Sequence, residues 1–257
     1  MPRVLITVPA NNEATVIEQN LGLLSEMCAK TFAHVDWMIE VAENGSTDAT
    51  SAIVERVASL NPRVRLLRVQ GRGKGQAIIA SWRASAEAAD VFLFTDADLA
   101  AGIDRMQDLF ASVISGGMDA ACGSRYVAGA SIDRSCLRSL VSRTYRTWQK
   151  CVLHLPVHDA QCGLKAVSPR VVREILPHLE ERTWLFDSEL LAHVHARGWH
   201  IAEMPVTWVE HRDHRRRSTV RLWRDAWAFI FGVYRIRQRV KNVTQEVQEK
   251  NLSTVFH

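Results

Sequence analysis

The sequence predicts an α/β fold with a mostly parallel sheet flanked by helices, and three observations favour it. Short β-branched runs alternate with segments of helical spacing through the first half of the chain. Polar clusters follow these runs where each predicted strand ends. The 257 residues, 47% of them hydrophobic and 23% charged, suffice for one large globular core. We therefore expect a single domain over residues 1–241 and a polar, frayed tail over residues 242–257.

The predicted elements of the first half alternate without interruption. Strands are expected at Val4–Val8, Asp36–Val41, Val64–Val69 and Val91–Thr95. Helices are expected at Glu13–Lys30, Asp48–Leu60 and Gly75–Ala89. In parallel sheets, ligands bind beyond the carboxyl ends of the strands, so the polar clusters found there should line one edge.

The alternation stops after Met118. The remaining predictions are a strand at Ala120–Gly123, a loop through Ser131, a helix from about Asp133 to Leu153, a strand-rich stretch at Trp199–Trp208 and a basic amphipathic helix at Val220–Lys241. No internal repeat or Pro/Gly/Ser-rich linker separates these elements. The sequence therefore gives no support for a second domain.

Cysteine usage and hydropathy predict a cytoplasmic protein. The five cysteines are odd in number and form no CxxC pair, which argues against a disulfide framework or a zinc site. The N-terminus lacks the apolar region of a signal peptide. The longest apolar run, Ala226–Tyr234, is about half of the roughly 20 residues that a membrane-spanning helix needs. We therefore expect neither secretion nor a transmembrane span.

Positive charge is concentrated near the C-terminus. Residues 205–241 contain ten Lys and Arg but three acidic residues, which indicates an anionic partner at this end. Aromatic residues interleave with the basic ones from Val220 to Lys241, as in helices that lie in a membrane surface. The alternative is a helix that packs its apolar face on the domain and leaves its arginines in water.

Asp96-Ala-Asp98 directly follows a predicted strand. Two carboxylates at this spacing can bind a hard divalent cation that also bridges a diphosphate. The alternative is a turn in which the aspartates cap the next helix.

Two further polar clusters contain residues that could bind a ligand. Gly71-Arg-Gly-Lys-Gly75 opens a helix, so its backbone N–H groups and Lys74 could hold phosphate, although a flexible turn would explain it equally well. Glu43-Asn-Gly-Ser-Thr-Asp48 contains a turn in which Ser46 or Asp48 could cap a helix. Its acidic residue could instead bind a nucleoside.

In this order, the motifs resemble the family 2 glycosyltransferases with the GT-A fold, a Rossmann-like, mostly parallel sheet flanked by helices. The specific resemblance is to the polyprenyl-phosphate, or dolichyl-phosphate, sugar transferases. The matching segments are VPANNEA, ENGSTDAT, GRGKGQA, FTDADLA, GSRY, DAQCGLKA, WLFDSELL and MPVTW followed by Arg217-Ser218-Thr219. The segments DAQCGLK and FDSEL look most like the dolichyl-phosphate glucosyltransferase branch.

The resemblance implies a role for each matching residue. It implies that Pro9, Glu13 and Glu43 hold the nucleoside, that Lys74 and Asp96 bind the nucleotide, and that Asp96 and Asp98 bind Mg²⁺ or Mn²⁺ with the diphosphate. It implies further that Arg125, Arg138, Ser142 and Arg217 bind the acceptor phosphate, with Asp96, Asp98 and Arg125 as the catalytic residues. Arg138 and Ser142 are four residues apart, which places them on one helix face.

Three positions depart from the family pattern. Asn11 replaces an aromatic residue of the first motif, which alters stacking on the base. Ala100 replaces a glutamine that helps to bind the metal in mannosyltransferase-like members. Arg217-Ser218-Thr219 replaces a Gly-Ser-Lys pattern and shifts its positive charge.

The resemblance implies an inverting hexosyltransferase that uses a nucleotide sugar, with UDP-glucose favoured over GDP-mannose, and a polyprenyl phosphate. Because we expect no transmembrane span, it would act peripherally at the cytoplasmic face of a membrane. One alternative is a glycosyltransferase with a soluble small-molecule acceptor. Another is a non-catalytic module that binds nucleic acid through its basic end, but the sequence contains no nucleic-acid motif, so we expect no nucleic-acid partner.

Overall fold

A computed structural model describes residues 1–133, 146–209 and 222–255. Its strands are β1 Arg3–Ala10, β2 Asp36–Glu43, β3 Val64–Arg68, β4 Val91–Thr95, β5 Ala120–Ser124, β6 Ser131–Asp133, β7 Leu164–Val167, β8 Ile201–Pro205 and β9 Thr207–Val209. Its helices are α1 Ile17–Thr31, α2 Thr50–Leu60, α3 Lys74–Ala84, α4 Met106–Ile114, α5 at residues 146–153, α6 Pro169–Glu174, α7 Phe186–Ala196 and α8 Leu222–Val255, with a 3₁₀ turn at Leu176–His178.

Among the described residues, seven strands form one sheet in the order β3-β2-β1-β4-β7-β5-β8. The first four in this order are parallel, so their carboxyl ends share one edge. Strand β7 runs antiparallel between β4 and β5, and β8 pairs in parallel with β5. A separate parallel pair joins β6 and β9. The expected α/β architecture with a mostly parallel sheet is confirmed.

Hydrophobic cores cover both faces of the sheet, as expected for strands buried on both sides. On one face, Trp82 of α3 packs between Phe94 of β4 and Phe186 of α7, with ring centroids 6.0 and 6.2 Å away. On the other face, Ile6 and Leu93 pack against the helices α1 and α4. This packing fixes the loops that leave the carboxyl edge.

Several predicted boundaries are wrong. Helix α1 begins at Ile17 rather than Glu13, and α3 ends at Ala84 rather than Ala89. The helix expected from about Asp133 cannot start there, because Asp133 ends β6; the part of this segment at residues 134–145 lies outside the described residues. Helix α8 continues to Val255, past the end expected at Lys241.

Helix α8 packs on the domain through part of its apolar surface. Val233 and Ile236 are buried in the core, whereas Phe231 and Tyr234 are 58% and 46% exposed. The described part of α8 therefore combines a packed apolar face with exposed aromatic side chains. In the ranges that the structure describes, helices are too short or too polar to cross a bilayer.

Candidate active site

Loops from β1, β2 and β3 are linked at the carboxyl edge of the sheet. Asn11 Nδ2 donates to the carbonyl oxygen of Asn44 at 2.9 Å, and Asn44 Nδ2 donates to that of Gly73 at 2.7 Å. The backbone N–H of Asn12 donates to Ser46 Oγ at 3.0 Å. These bonds confirm that the polar clusters predicted after the first three strands come together.

The loop after β2 is held by its own acidic side chains. Glu43 Oε1 accepts from the N–H of Ser46 at 2.5 Å, and Asp48 Oδ1 accepts from the N–H of Thr50, the first residue of α2, at 3.0 Å. Burial alone would raise the pKa of Glu43, but hydrogen bonds from Ser46, Ser51 and Gly45 lower it below its ordinary value. Glu43 is thus ionised, and Asp48 holds the start of α2.

Residues predicted to contact the nucleoside lie beside this loop. Pro9 is buried near the end of β1, opposite Ala42 of β2. The backbone N–H of Glu13 donates to Thr50 Oγ1 at 2.8 Å, which ties the loop after β1 to α2. Pro9, Glu13 and Glu43 therefore line adjacent parts of the same edge.

Gly71–Gly75, the glycine loop, packs directly on residues 180–187, which we call the bridging segment. A Cβ at Gly75 would lie 2.6 Å from Phe186 Cβ and 2.7 Å from the Glu181 carbonyl oxygen, so a larger residue does not fit there. The N–H of Gln76 donates to the carbonyl oxygen of Arg182 at 2.9 Å. This donor in the first turn of α3 is therefore already paired within the protein.

Lys74 lies between two carboxylates. Its side chain is 6% exposed, and Nζ lies 2.8 Å from Asp96 Oδ1 and 3.1 Å from Asp187 Oδ2. Burial alone would lower the pKa of Lys74, but the two carboxylates raise it above its ordinary value. A permanently charged ammonium group thus stands beside the first aspartate of the Asp96-Ala-Asp98 motif.

Sequence analysis assigned no role to two charged residues of this network. Lys165 of β7 is fully buried, and its Nζ lies 2.6 Å from Asp187 Oδ1 and donates to the carbonyl oxygen of Cys162 at 2.6 Å. Asp187 therefore joins Lys165 to Lys74. A lysine inside a short apolar strand is a signal that could have been used, because buried charges need partners.

Backbone contacts hold the Asp96-Ala-Asp98 turn. The N–H of Asp96 donates to the carbonyl oxygen of Gly163 at 3.0 Å, and Asp98 Oδ1 accepts from the N–H of Ala100 at 3.1 Å. A Cβ at Gly163 would overlap Asp96 Oδ2. Burial raises the pKa of Asp96 above its ordinary value, and repulsion from Asp98 and Asp187 adds to this rise. The charge of Lys74 opposes it.

The donor set at this turn fits a hard divalent cation shared with a substrate. Asp96 and Asp98 supply carboxylate oxygens, and the cluster of Asp96, Asp98 and Asp187 carries more negative charge than Lys74 and Lys165 neutralise. The described residues contain no group of three His, Cys, Asp or Glu that could hold a metal. Mg²⁺ commonly binds one or two carboxylates together with phosphate oxygens, which suits this arrangement.

Arg125 forms a bidentate pair with Asp159, a residue to which sequence analysis gave no role. Arg125 Nε and Nη2 lie 2.7 and 2.8 Å from the two carboxylate oxygens, and the backbone N–H of Arg125 donates to Asp159 Oδ2 at 3.0 Å. Burial alone would raise the pKa of Asp159, but Arg125 lowers it. The guanidinium expected to bind an acceptor phosphate thus already uses two nitrogens on a carboxylate.

Three predicted acceptor residues, Arg138, Ser142 and Arg217, lie outside the described residues. Their predicted role as phosphate ligands stays a prediction.

Known proteins share the sequence pattern of this chain. The glycosyl transferase family 2 pattern matches residues 5–176. Glycosyltransferase AglD of Haloferax volcanii is 32% identical over 80% of this chain and 33% of its own length. Dolichyl-phosphate beta-glucosyltransferase ALG5C of Trichomonas vaginalis is 30% identical over 81% of this chain and 64% of its own length. Polyprenol monophosphomannose synthase of Mycolicibacterium smegmatis is 28% identical over 81% of this chain and 78% of its own length. The chain thus spans about a third of the length of AglD and just under two thirds of the length of ALG5C.

A solved structure shows the same fold. Glucosyl-3-phosphoglycerate synthase from Mycobacterium tuberculosis, in complex with Mn²⁺, UDP and phosphoglyceric acid, superposes with a TM-score of 0.63 at 21% identity. The match covers 93% of this chain and 78% of that one. The same enzyme was also crystallised with Mg²⁺ and UDP.

Proposed function

This chain belongs to glycosyl transferase family 2, and we propose that it transfers a hexose from a nucleotide sugar to a polyprenyl phosphate. The observation that carries the proposal is the contact between Lys74 and Asp96 at the edge where the loops after β1, β2 and β3 meet. Relatives named as dolichyl-phosphate glucosyltransferase and polyprenol monophosphomannose synthase support the acceptor class.

The donor would bind across the linked loops. Pro9, Glu13 and Glu43 would contact the nucleoside, and Lys74 would face the diphosphate. Asp96 and Asp98 would hold Mg²⁺ or Mn²⁺, which would neutralise the charge that develops on the departing diphosphate. UDP-glucose is favoured because DAQCGLK and FDSEL resemble the glucosyltransferase branch; GDP-mannose is the alternative.

The acceptor chemistry needs no strong base. A polyprenyl phosphate is ionised at neutral pH, so its oxygen can attack the anomeric carbon as the bond from that carbon to the diphosphate oxygen breaks. Positioning and charge stabilisation then determine the rate. Direct displacement inverts the anomeric centre and gives a β-linked product from an α-linked donor. Arg125, Arg138, Ser142 and Arg217 would bind the acceptor phosphate, with Asp159 orienting Arg125.

We place the enzyme peripherally, at the cytoplasmic face of a membrane, through α8. The exposed Phe231 and Tyr234 lie beside Arg235, whose side chain is also exposed. Aromatic and basic side chains together suit the interface of an anionic bilayer. Because Val233 and Ile236 belong to the core, deleting α8 would disturb folding. Flotation of the intact protein with anionic vesicles should instead weaken in the double variant Phe231→Ser, Tyr234→Ser.

A soluble acceptor is the second candidate. The departure of Arg217-Ser218-Thr219 from the family pattern favours it, because this change falls where an acceptor phosphate would bind. A soluble acceptor predicts transfer in the absence of any lipid phosphate.

The deciding experiment is label transfer from UDP-glucose and from GDP-mannose into organic-extractable product. Polyprenyl phosphate is present or omitted, and EDTA tests the metal. Label that enters the lipid phase only with both acceptor and metal supports the proposal, and the better donor identifies the sugar. Donor binding without lipid labelling favours the soluble acceptor. Salt-sensitive RNA or DNA binding without donor binding would favour the nucleic-acid alternative.

A further inference from the structure

The bridging segment lies between the glycine loop and α8. On the loop side, the Arg182 carbonyl accepts from the N–H of Gln76, and the Glu181 carbonyl leaves no room for a side chain at Gly75. Asp187, at the end of the same segment, contacts Lys74. A shift of the bridging segment would therefore move the backbone and the ammonium group that face the diphosphate.

A buried carboxylate fixes the other side of the bridging segment. Glu189 of α7 is fully buried, and its Oε2 accepts from the N–H groups of Glu180 and Glu181 at 2.9 and 2.7 Å. Its other oxygen, Oε1, lies 2.6 Å from Arg239 Nη1. One carboxylate thus joins α8 to the backbone of the bridging segment.

Helix α8 makes a second close contact with the same segment. Gly232 packs on Leu185, and a Cβ at Gly232 would overlap Leu185 Cδ1. Arg235 and Arg239 each place a guanidinium nitrogen 3.4 Å from Glu181 Oε1. The segment is therefore held from the α8 side by charge and by close packing.

We propose that Glu189 and Arg239 are positioning residues that hold the glycine loop in its nucleotide-binding conformation through the bridging segment. This inference rests on the proposed function, since it assigns the diphosphate to that loop. Glu189 is suited to the task because a carboxylate accepts two backbone N–H bonds and an arginine at once. Without the carboxylate charge, Arg239 loses its buried partner, although Glu180 and Glu181 still lie 2.9 and 3.4 Å from its guanidinium group, and the bonds to the N–H groups of residues 180 and 181 weaken.

The test compares Glu189→Gln with Glu40→Gln. Glu40 is a matched control because it is also a buried carboxylate, and its arginine partner, Arg65 with Nε 2.5 Å away, lies outside both the bridging segment and the glycine loop. Arg239→Gln serves as a second, milder variant, because Arg239 is partly exposed. The readouts are amide hydrogen exchange at Gln76 without nucleotide and the Kd for UDP·Mg²⁺ and GDP·Mg²⁺.

We expect the Gln76 amide to exchange about tenfold faster in Glu189→Gln than in Glu40→Gln, with a similar rise in Kd for the nucleotide that the wild type binds. Arg239→Gln should change both readouts in the same direction. The proposal is overturned if Glu189→Gln and Arg239→Gln affect exchange no more than Glu40→Gln. A wild-type protein that binds neither nucleotide counts against the proposed function, while the exchange comparison still decides the positioning role.

Discussion

Asp187 Oδ2 lies 3.1 Å from Lys74 Nζ, which ties the first turn of α7 to the first residue of α3. The other oxygen, Oδ1, lies 2.6 Å from the buried ammonium group of Lys165. One aspartate therefore fixes a lysine of the proposed diphosphate site to a lysine of the sheet. Asp187 would thus position Lys74.

Asp187→Asn should damage both stability and activity. The substitution leaves Lys165 without its carboxylate, so we expect unfolding free energy to fall by about 3 to 5 kcal/mol. Lys74 keeps Asp96 as a partner but loses its second anchor, and a displacement of its ammonium group should lower kcat/KM by about a hundredfold. Urea unfolding and label transfer measure the two effects. The control Asp36→Asn removes an exposed partner of Arg63 and should cost less than about 1 kcal/mol. Equal losses in both variants would contradict the role of Asp187.

Asp98→Ala should abolish transfer while the protein stays folded. The Asp98 carboxylate accepts a backbone bond from Ala100 and lies in a partly exposed turn, so its loss should change the melting temperature little. Because Asp98 is proposed to bind the metal, its loss should lower kcat at least about a hundredfold. Label transfer and Mg²⁺-dependent UDP binding should fail together. Asp104→Ala, which alters an exposed carboxylate paired with Arg105, is the control. Full activity of Asp98→Ala would remove the metal role.

The strands and their polar ends could be predicted from local sequence, but the charge pairs could not. Strand β4 matches its predicted bounds because Val91–Thr95 is a continuous buried apolar run. The pair of Lys165 and Asp187 joins residues 22 apart, and that of Arg125 and Asp159 joins residues 34 apart. Both depend on the antiparallel insertion of β7 between β4 and β5. Lys165 inside this four-residue strand indicates that a buried partner exists, but local sequence does not identify which residue it is.

Gly163→Ala should reduce activity more than stability. An alanine Cβ would overlap Asp96 Oδ2, so the carboxylate must move away from its place beside Lys74. A displacement near 1 Å at a reacting centre lowers kcat/KM by about a hundredfold. Gly22→Ala is the matched control, because it lies within α1 with open space around it and should stabilise the helix by up to about 1 kcal/mol. Unchanged transfer by Gly163→Ala would show that Asp96 tolerates the shift.

The pairing of Asp159 with Arg125 should make stability depend on pH in the acid range. Hydrogen bonding and charge from Arg125 hold the folded-state pKa of Asp159 below its ordinary value of 3.8. A carboxylate of this kind contributes stability above its unfolded pKa, and the contribution is lost as pH falls through the folded pKa.

Asp159→Asn should therefore be destabilised most at neutral pH, by about 3 to 5 kcal/mol, because it leaves the buried Arg125 without a counter-charge. The difference from wild type should shrink as pH falls below about 4, because Asp159 then binds a proton in the unfolded wild type while the folded ion pair still resists protonation. Urea unfolding of both proteins from pH 7 to pH 3 measures this. Arg125→Lys should also lose stability and transfer activity, since an ammonium group cannot form two parallel bonds with one carboxylate. A difference between Asp159→Asn and wild type that stays constant with pH would mean that the ion pair does not control acid stability.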